Sequence, residues 1–361
     1  MKITIIAGAR PNFVKIAPLI HVIKKYHNAR NDIFYRLVHT GQHYDKKMSD
    51  SFFEALNIPL PDINLGCGGG TQAEQTAAIM TAFEKELVEN PCDLVIVVGD
   101  VTSTMACSIT AKKMNTKVAH IEAGIRSYDL AMPEEINRMV TDSITDYFFT
   151  TTQWATENLL RCGIDENRIF KVGNIMIDSL LANMNRFKKP EIYDSIPLQA
   201  GGYFVLTMHR PTNVDEVEHL TVMLKEITDN VHHLPVVFPI HPRTASILSE
   251  HKIQADNLFI TEPLGYLEFN YLVRNAKAVI TDSGGITEET TVMGIPCLTL
   301  RDNTERPETC TIGTNLLVGT NPANIKPALD RLFAGQWQKG SIPELWDGHT
   351  AERIVNILLS L

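Results

Sequence analysis

A chain of 361 residues exceeds what one hydrophobic core organises, so two domains are expected, and 44% hydrophobic with 21% charged residues excludes a long disordered segment. The net charge of −9 excludes a non-specific nucleic-acid binder, which needs clustered Lys and Arg to neutralise phosphates. Six cysteines without a Cys-x-x-Cys spacing suggest neither a disulfide framework nor a structural zinc site.

The apolar run at 3–7 is too short for a secretion signal or a membrane span, so a cytoplasmic chain with no membrane partner is expected. It opens a regular series. Strands are predicted at 3–7, 34–39, 94–98, 117–121 and 147–151, with helices at 14–26, 46–56, 102–114 and 153–162. The series restarts with strands at 203–207, 236–239, 258–260, 278–281 and 297–300 and helices at 217–231, 266–275 and 287–293. Apolar strands alternating with helices predict two doubly wound parallel sheets, an α/β fold. The stretch 188–202, with Pro190, Pro197, Gly201 and Gly202, reads as connecting chain, and a hinge is expected between about 168 and 202. A final helix at 350–361 has apolar positions at Ile354, Ile357, Leu358 and Leu361 and needs a partner to pack on.

Ligands of open α/β sheets sit at the carboxyl ends of strands. The first such loop, Gly8-Ala9-Arg10-Pro11, pairs a tight turn with a guanidinium suited to phosphate. No G-x-G-x-x-G follows a strand, which argues against a nicotinamide cofactor. The loop at 39–45 contains Gln42 and His43 among other polar groups. Asp100 follows the strand at 94–98, Glu122 ends the strand at 117–121, and Glu134 lies in the first turn of a proline-started helix. Asp100 and Glu134 could each be ordinary helix-terminal acids. Together the three fall at one edge of one sheet, where clustered carboxylates raise each other's pKa and become usable as general acids and bases.

The second half presents His209-Arg210, then His241-Pro242-Arg243, then Asp282-Ser283-Gly284-Gly285 at a helix start. Bare backbone N–H groups there suit a diphosphate, and Glu289, one turn in, suits a ribose diol. A charged loop, Arg301 to Glu308, points to sugar or phosphate recognition.

In order, Gly8-x-Arg10-Pro11, Gln42-His43, Gly99-Asp100, His120-x-Glu122-Ala123-Gly124-x-Arg126, Pro133-Glu134-Glu135-x-Asn137-Arg138, Gly173-Asn174, His209-Arg210, Thr281-Asp282-Ser283-Gly284-Gly285 and Arg301-Asp302-x-Thr304-Glu305-Arg306-Pro307-Glu308 span the whole chain. This ordered set resembles the non-hydrolysing UDP-N-acetylglucosamine 2-epimerases. The resemblance implies a GT-B fold, two Rossmann-like domains facing across a cleft, with 1–172 plus 348–361 carrying the acids and 173–347 binding UDP. It implies that Asp100, Glu122, Glu134 and His209 are catalytic. It implies UDP-sugar contacts from Arg10, Lys15, Gln42, His43, Arg138, Arg210, His241, Ser283, Gly284, Gly285, Glu289 and Arg306, with Phe269 and Pro263-Leu264 against uracil. It implies no cofactor and no metal, a UDP-sugar substrate, and a homodimer. The segments 39–45 and 242–244 look like a branch acting on UDP-2,3-diacetamido-glucuronate, whereas 304–308 looks like the N-acetylglucosamine branch. A GT-B glycosyltransferase remains the reading from another class.

Overall fold

The computed structural model describes residues 1–30, 32–42, 53–240, 242–251 and 253–361. The chain divides into two compact units, Met1–Ala182 with Glu344–Leu361, and Asn183–Pro343.

Unit 1 runs β1 (Lys2–Ala7), α1 (Arg10–Arg30), β2 (Phe34–His39), β3 (Ile63–Asn64), α2 (Gln72–Glu89), β4 (Leu94–Val98), α3 (Thr102–Lys113), β5 (Lys117–Ile121), α4 (Pro133–Ile144), β6 (Tyr147–Thr150), α5 (Gln153–Arg161), β7 (Ile169–Lys171) and α6 (Ile175–Asn183). Among the described residues these strands form a parallel seven-stranded sheet in the order β3-β2-β1-β4-β5-β6-β7. β4 is buried along its whole length, as a strand covered on both faces must be, and this explains its unbroken Leu-Val-Ile-Val-Val run. The chain reverses direction of travel between β1 and β4, so the turns after these two strands lie at the switch point where such sheets bind ligands. Asn12 builds the first of them: its Oδ1 accepts the Gly8 and Ala9 N–H groups at 3.0 and 2.9 Å, and its Nδ2 donates to the Val98 carbonyl at 3.0 Å. Gly8 admits no side chain, since a Cβ there would lie 2.1 Å from Ser103 Oγ.

Unit 2 runs β8 (Phe204–Thr207), α7 (Val217–Asn230), β9 (Val236–Pro239), α8 (Pro242–Glu250), β10 (Leu258–Thr261), α9 (Tyr266–Asn275), β11 (Ala278–Thr281), α10 (Gly284–Met293), β12 (Cys297–Thr299), β13 (Asn315–Leu317) and α11 (Ile325–Phe333), with short helical turns between. Its parallel sheet has the order β10-β9-β8-β11-β12-β13, which places the switch point between β8 and β11. Hydrophobic clusters cover both faces, one built on Phe204, Phe238 and Leu298, the other on Tyr203, Val205 and Cys297.

The last helix, α12 (Thr350–Ser360), belongs to unit 1. Its first turn takes its cap from α6: Asp178 accepts from the backbone N–H groups of Thr350 at 3.1 Å and Ala351 at 2.7 Å. Tyr26 of α1 donates to Asn356 at 2.7 Å. This cap ties α6 to α12 within unit 1.

Among the elements that the apolar pattern does not anticipate are two helices, α2 and α11. α2 starts on a capping box in which Thr71 Oγ1 accepts the Glu74 N–H and the Glu74 carboxylate accepts the Thr71 N–H, and α11 buries Ile325, Ala328, Leu329 and Leu332 on one stripe. Of the helix predicted over 46–56, residues 53–56 lie within the described residues and are helical.

Candidate active site

In unit 1 the carboxyl ends of β4 and β5 bring two predicted acids to neighbouring turns. Glu122 follows β5 directly, 3% exposed, with a positive φ of 69° that a non-glycine residue holds only when its surroundings impose it. What imposes it is a backbone bond to the Phe149 carbonyl at 3.0 Å and an ion pair with Lys15 of α1, Nζ to Oε2 at 2.6 Å. Gly99, at φ +70°, leaves the room for that pair, because a Cβ there would stand 3.2 Å from Lys15 Nζ and 3.7 Å from Glu122 Oε2.

Asp100, half-buried, receives Arg138 of α4 at 2.5 Å, and the Asp100 carbonyl accepts from Asn137 Nδ2 at 2.8 Å. A cation thus stands beside each of these two acids. The two acids at the start of α4 separate in role. Glu135 is fully buried, accepts from the Ser127 and Tyr128 N–H groups at 2.9 and 3.1 Å, and pairs with Arg138 at 2.7 Å. Glu134 is exposed. Gln42 faces inward, its Oε1 accepting the Ser103 N–H at 3.1 Å and the Ser103 hydroxyl at 2.8 Å, so that it caps α3.

In unit 2 the switch-point turns carry the opposite character. Asp282 is wholly buried at the end of β11 and accepts from the His209 N–H at 3.0 Å, the Arg210 N–H at 2.9 Å and Asn213 Nδ2 at 3.1 Å. The His209 ring, mostly exposed, stands on the same carboxylate with Nδ1 at 2.7 Å. Burial pushes the Asp282 carboxyl up, but His209 and these donors outweigh it and hold it below its ordinary value. Ser283 opens α10 without a side-chain cap, and Ser283, Gly284 and Gly285 are half-buried, leaving the first turn of the helix lined by backbone.

Glu289, one turn in and 4% exposed, accepts from the Tyr266 hydroxyl at 2.9 Å. Burial raises its carboxyl to about 7. Phe269 packs on the hydrophobic cluster beside Leu264. Arg306 is buried against Glu288, and Arg301 makes a two-pronged pair with Glu305 at 2.7 and 2.8 Å. Arg210 is half-buried, with Nε on the Asp282 carbonyl at 3.1 Å. Arg10 opens α1, while His43 and His241 lie outside the described residues.

In the sequence Lys15 and Glu122, and Arg138 and Asp100, are each singled out but not paired, and Asp282 stands only as a member of a glycine turn. Asp282 and His209 are 73 positions apart and meet only because β8 and β11 are neighbours. Among the described residues no group of three or more His, Cys, Asp or Glu side chains is placed to hold a metal ion, and no helix is long and apolar enough to cross a membrane.

The UDP-N-acetylglucosamine 2-epimerase of Methanocaldococcus jannaschii is 41% identical, with 99% of each chain covered. Its crystal structure in complex with UDP-GlcNAc and UDP matches all of both chains with a TM-score of 0.90. The UDP-2,3-diacetamido-2,3-dideoxy-D-glucuronate 2-epimerase of Pseudomonas aeruginosa is 38% identical over 88% of each chain. A lipopolysaccharide outer core galactosyltransferase, at 16% identity and a TM-score of 0.56, shares the fold alone, which is GT-B-like. The family description UDP-N-acetylglucosamine 2-epimerase matches residues 25–359, and with full-length relatives at this identity the chain belongs to the UDP-N-acetylglucosamine 2-epimerase family.

Proposed function

We propose that this chain inverts carbon 2 of a UDP-linked N-acetylhexosamine, interconverting UDP-N-acetylglucosamine and UDP-N-acetylmannosamine. The observation that carries the reading is the pair of strand-end carboxylates, Asp100 after β4 and Glu122 after β5, each held by its own cation.

The hydrogen on carbon 2 is not acidic, because its neighbour is an amide nitrogen and not a carbonyl. Elimination removes the difficulty. A carboxylate takes the carbon 2 proton while the carbon 1–oxygen bond breaks and UDP leaves with the electron pair, giving 2-acetamidoglucal. UDP then adds back to carbon 1, and an acid delivers a proton to the other face of carbon 2. Asp100, Glu122 and Glu134 serve as the acids and bases, and His209, oriented by Asp282, acts at the sugar. Arg10 and the backbone of Ser283, Gly284 and Gly285 stabilise the departing diphosphate. Glu289 accepts from the ribose, Phe269 lies against uracil, and Lys15, Gln42, His43, Arg138, Arg210, His241 and Arg306 complete the site. Residues 1–172 with 348–361 supply the acids and 173–347 the nucleotide contacts.

The reaction is tested in deuterium oxide with UDP-N-acetylglucosamine as the sole reactant. UDP-N-acetylmannosamine labelled at carbon 2 is the expected product. Unlabelled epimer would remove the elimination step, and free N-acetylmannosamine with UDP would reveal hydrolysis. A requirement for an acceptor would reveal a glycosyltransferase. The Pseudomonas relative favours a second substrate, UDP-2,3-diacetamido-glucuronate, which belongs in a parallel tube.

We place the enzyme in the cytoplasm as a homodimer. Six free cysteines fit a reducing compartment, and the outward Ile136 and Met139 of α4, 48% and 46% exposed, fit a face that a second copy covers.

A further inference from the structure

The proposed reaction uses Asp100 and Glu122 and leaves a buried ionisable set beside them without a task. His120, wholly buried in β5, has its Nδ1 2.7 Å from Asp142 Oδ1 and its Nε2 2.8 Å from the Gly99 carbonyl. Both partners only accept. A ring nitrogen lacking its proton would face either of them lone pair to lone pair, so each nitrogen carries a proton. The other Asp142 oxygen takes Arg126 at 2.6 Å and the Gly124 N–H at 3.1 Å. One carboxylate of α4 thus grips the chain on both sides of Glu122, and through His120 it reaches the carbonyl that immediately precedes Asp100. Both turns joined in this way carry a residue at positive φ, Gly99 and Glu122.

We propose that His120 is a positioning residue of the reaction: its ring, donating from both nitrogens, clamps the Gly99–Asp100 turn to the Glu122 turn and sets the spacing of the two acids. The inference rests on the proposed elimination and re-addition, in which a misplaced acid fails to complete the second half before the intermediate escapes. A residue needed only for folding would lower the amount of active enzyme and leave that partition unchanged.

The test combines nitrogen NMR of the wild-type His120 ring with kinetics and UDP calorimetry of His120→Gln and His120→Ala. Gln keeps a donor near the Nε2 position and Ala keeps neither. Turnover is expected to fall about 100-fold in His120→Ala and about 10-fold in His120→Gln, the scale of small misplacements of reacting groups. KM and UDP affinity should stay within about two-fold, while released 2-acetamidoglucal per epimerisation rises. The wild-type ring should show two protonated nitrogens. A bare ring nitrogen, or His120→Gln with parental turnover and parental leakage, overturns the inference. If His120→Ala does not fold, His120→Gln and the ring measurement decide. Wild-type protein that binds UDP but turns over no UDP-sugar would overturn the functional reading, and the positioning role with it, whereas active wild type beside an unaffected His120→Gln removes this inference alone.

Discussion

The two sheets share the strand order around their switch points and present opposite chemistry there. In unit 1 the acids stand at the turns and the cations, Lys15 and Arg138, come from helices to meet them. In unit 2 the acid at the equivalent place, Asp282, is buried under the turn, and it holds a histidine and bare backbone outward instead. The same topology thus yields two different turns, and at the matching positions after β4 and β11 the difference is how deep the carboxylate lies, Asp100 half-buried and Asp282 wholly buried.

The sharpest way to break this comparison is Glu122→Gln, which keeps the shape and removes the charge. Turnover should fall by roughly 100-fold or more, the usual scale for a lost acid or base, with UDP affinity within a few-fold. A large loss of UDP affinity would show that the acid turn also binds the nucleotide. Next in size, Asp282→Ala strips the acceptor from several donors at once and should destabilise the protein by about 3 kcal/mol or more in denaturant titrations. Asp282→Asn, which keeps acceptor capacity, should cost less stability yet still lower turnover through the loss of His209 orientation.

Glu289 gives a pH signature. Its carboxyl is raised to about 7 from 4.5, so the native state holds a proton that the unfolded chain releases earlier. Its contribution is present below about 4.5 and is lost as pH rises to about 7, a change of about 3 kcal/mol at the conversion of 1.36 kcal/mol per unit. Glu289→Gln should flatten the decline of stability over that window. Because a ribose diol donates to the ionised form, wild-type UDP affinity should also gain with pH across it relative to the variant. The smallest effect belongs to Gly99→Ala, where positive φ and the approach to Lys15 should cost about 1 kcal/mol, read as a modest drop in thermal midpoint.

Much of this architecture was legible in the chain. Buried parallel strands are continuous apolar runs, so β4 and β5 were placed to the residue, as were β9, α9 and β11. α2 was passed over although Thr71 and Glu74 spell its start, because its outer positions are alanine, threonine and glutamine and carry little periodicity. The acids were legible as strand-end residues. Their partners were not: Lys15 is 107 positions from Glu122 and Arg138 is 38 from Asp100, and only the strand order brings them together. Depth was equally hidden, since nothing local distinguishes the buried Asp282 from the half-exposed Asp100.

The cap that Asp178 gives to α12 bears on how the molecule is made. Unit 1 is interrupted by the whole of unit 2, and the ribosome delivers Thr350 and Ala351 only after Pro343 has been joined. During synthesis the Asp178 carboxylate therefore waits with its two backbone donors still unmade, while unit 2 emerges as an uninterrupted segment able to collapse first. The half that begins the chain is the half completed last, and a nascent protein stalled before residue 350 holds all of unit 2 and a unit 1 that still lacks its last helix.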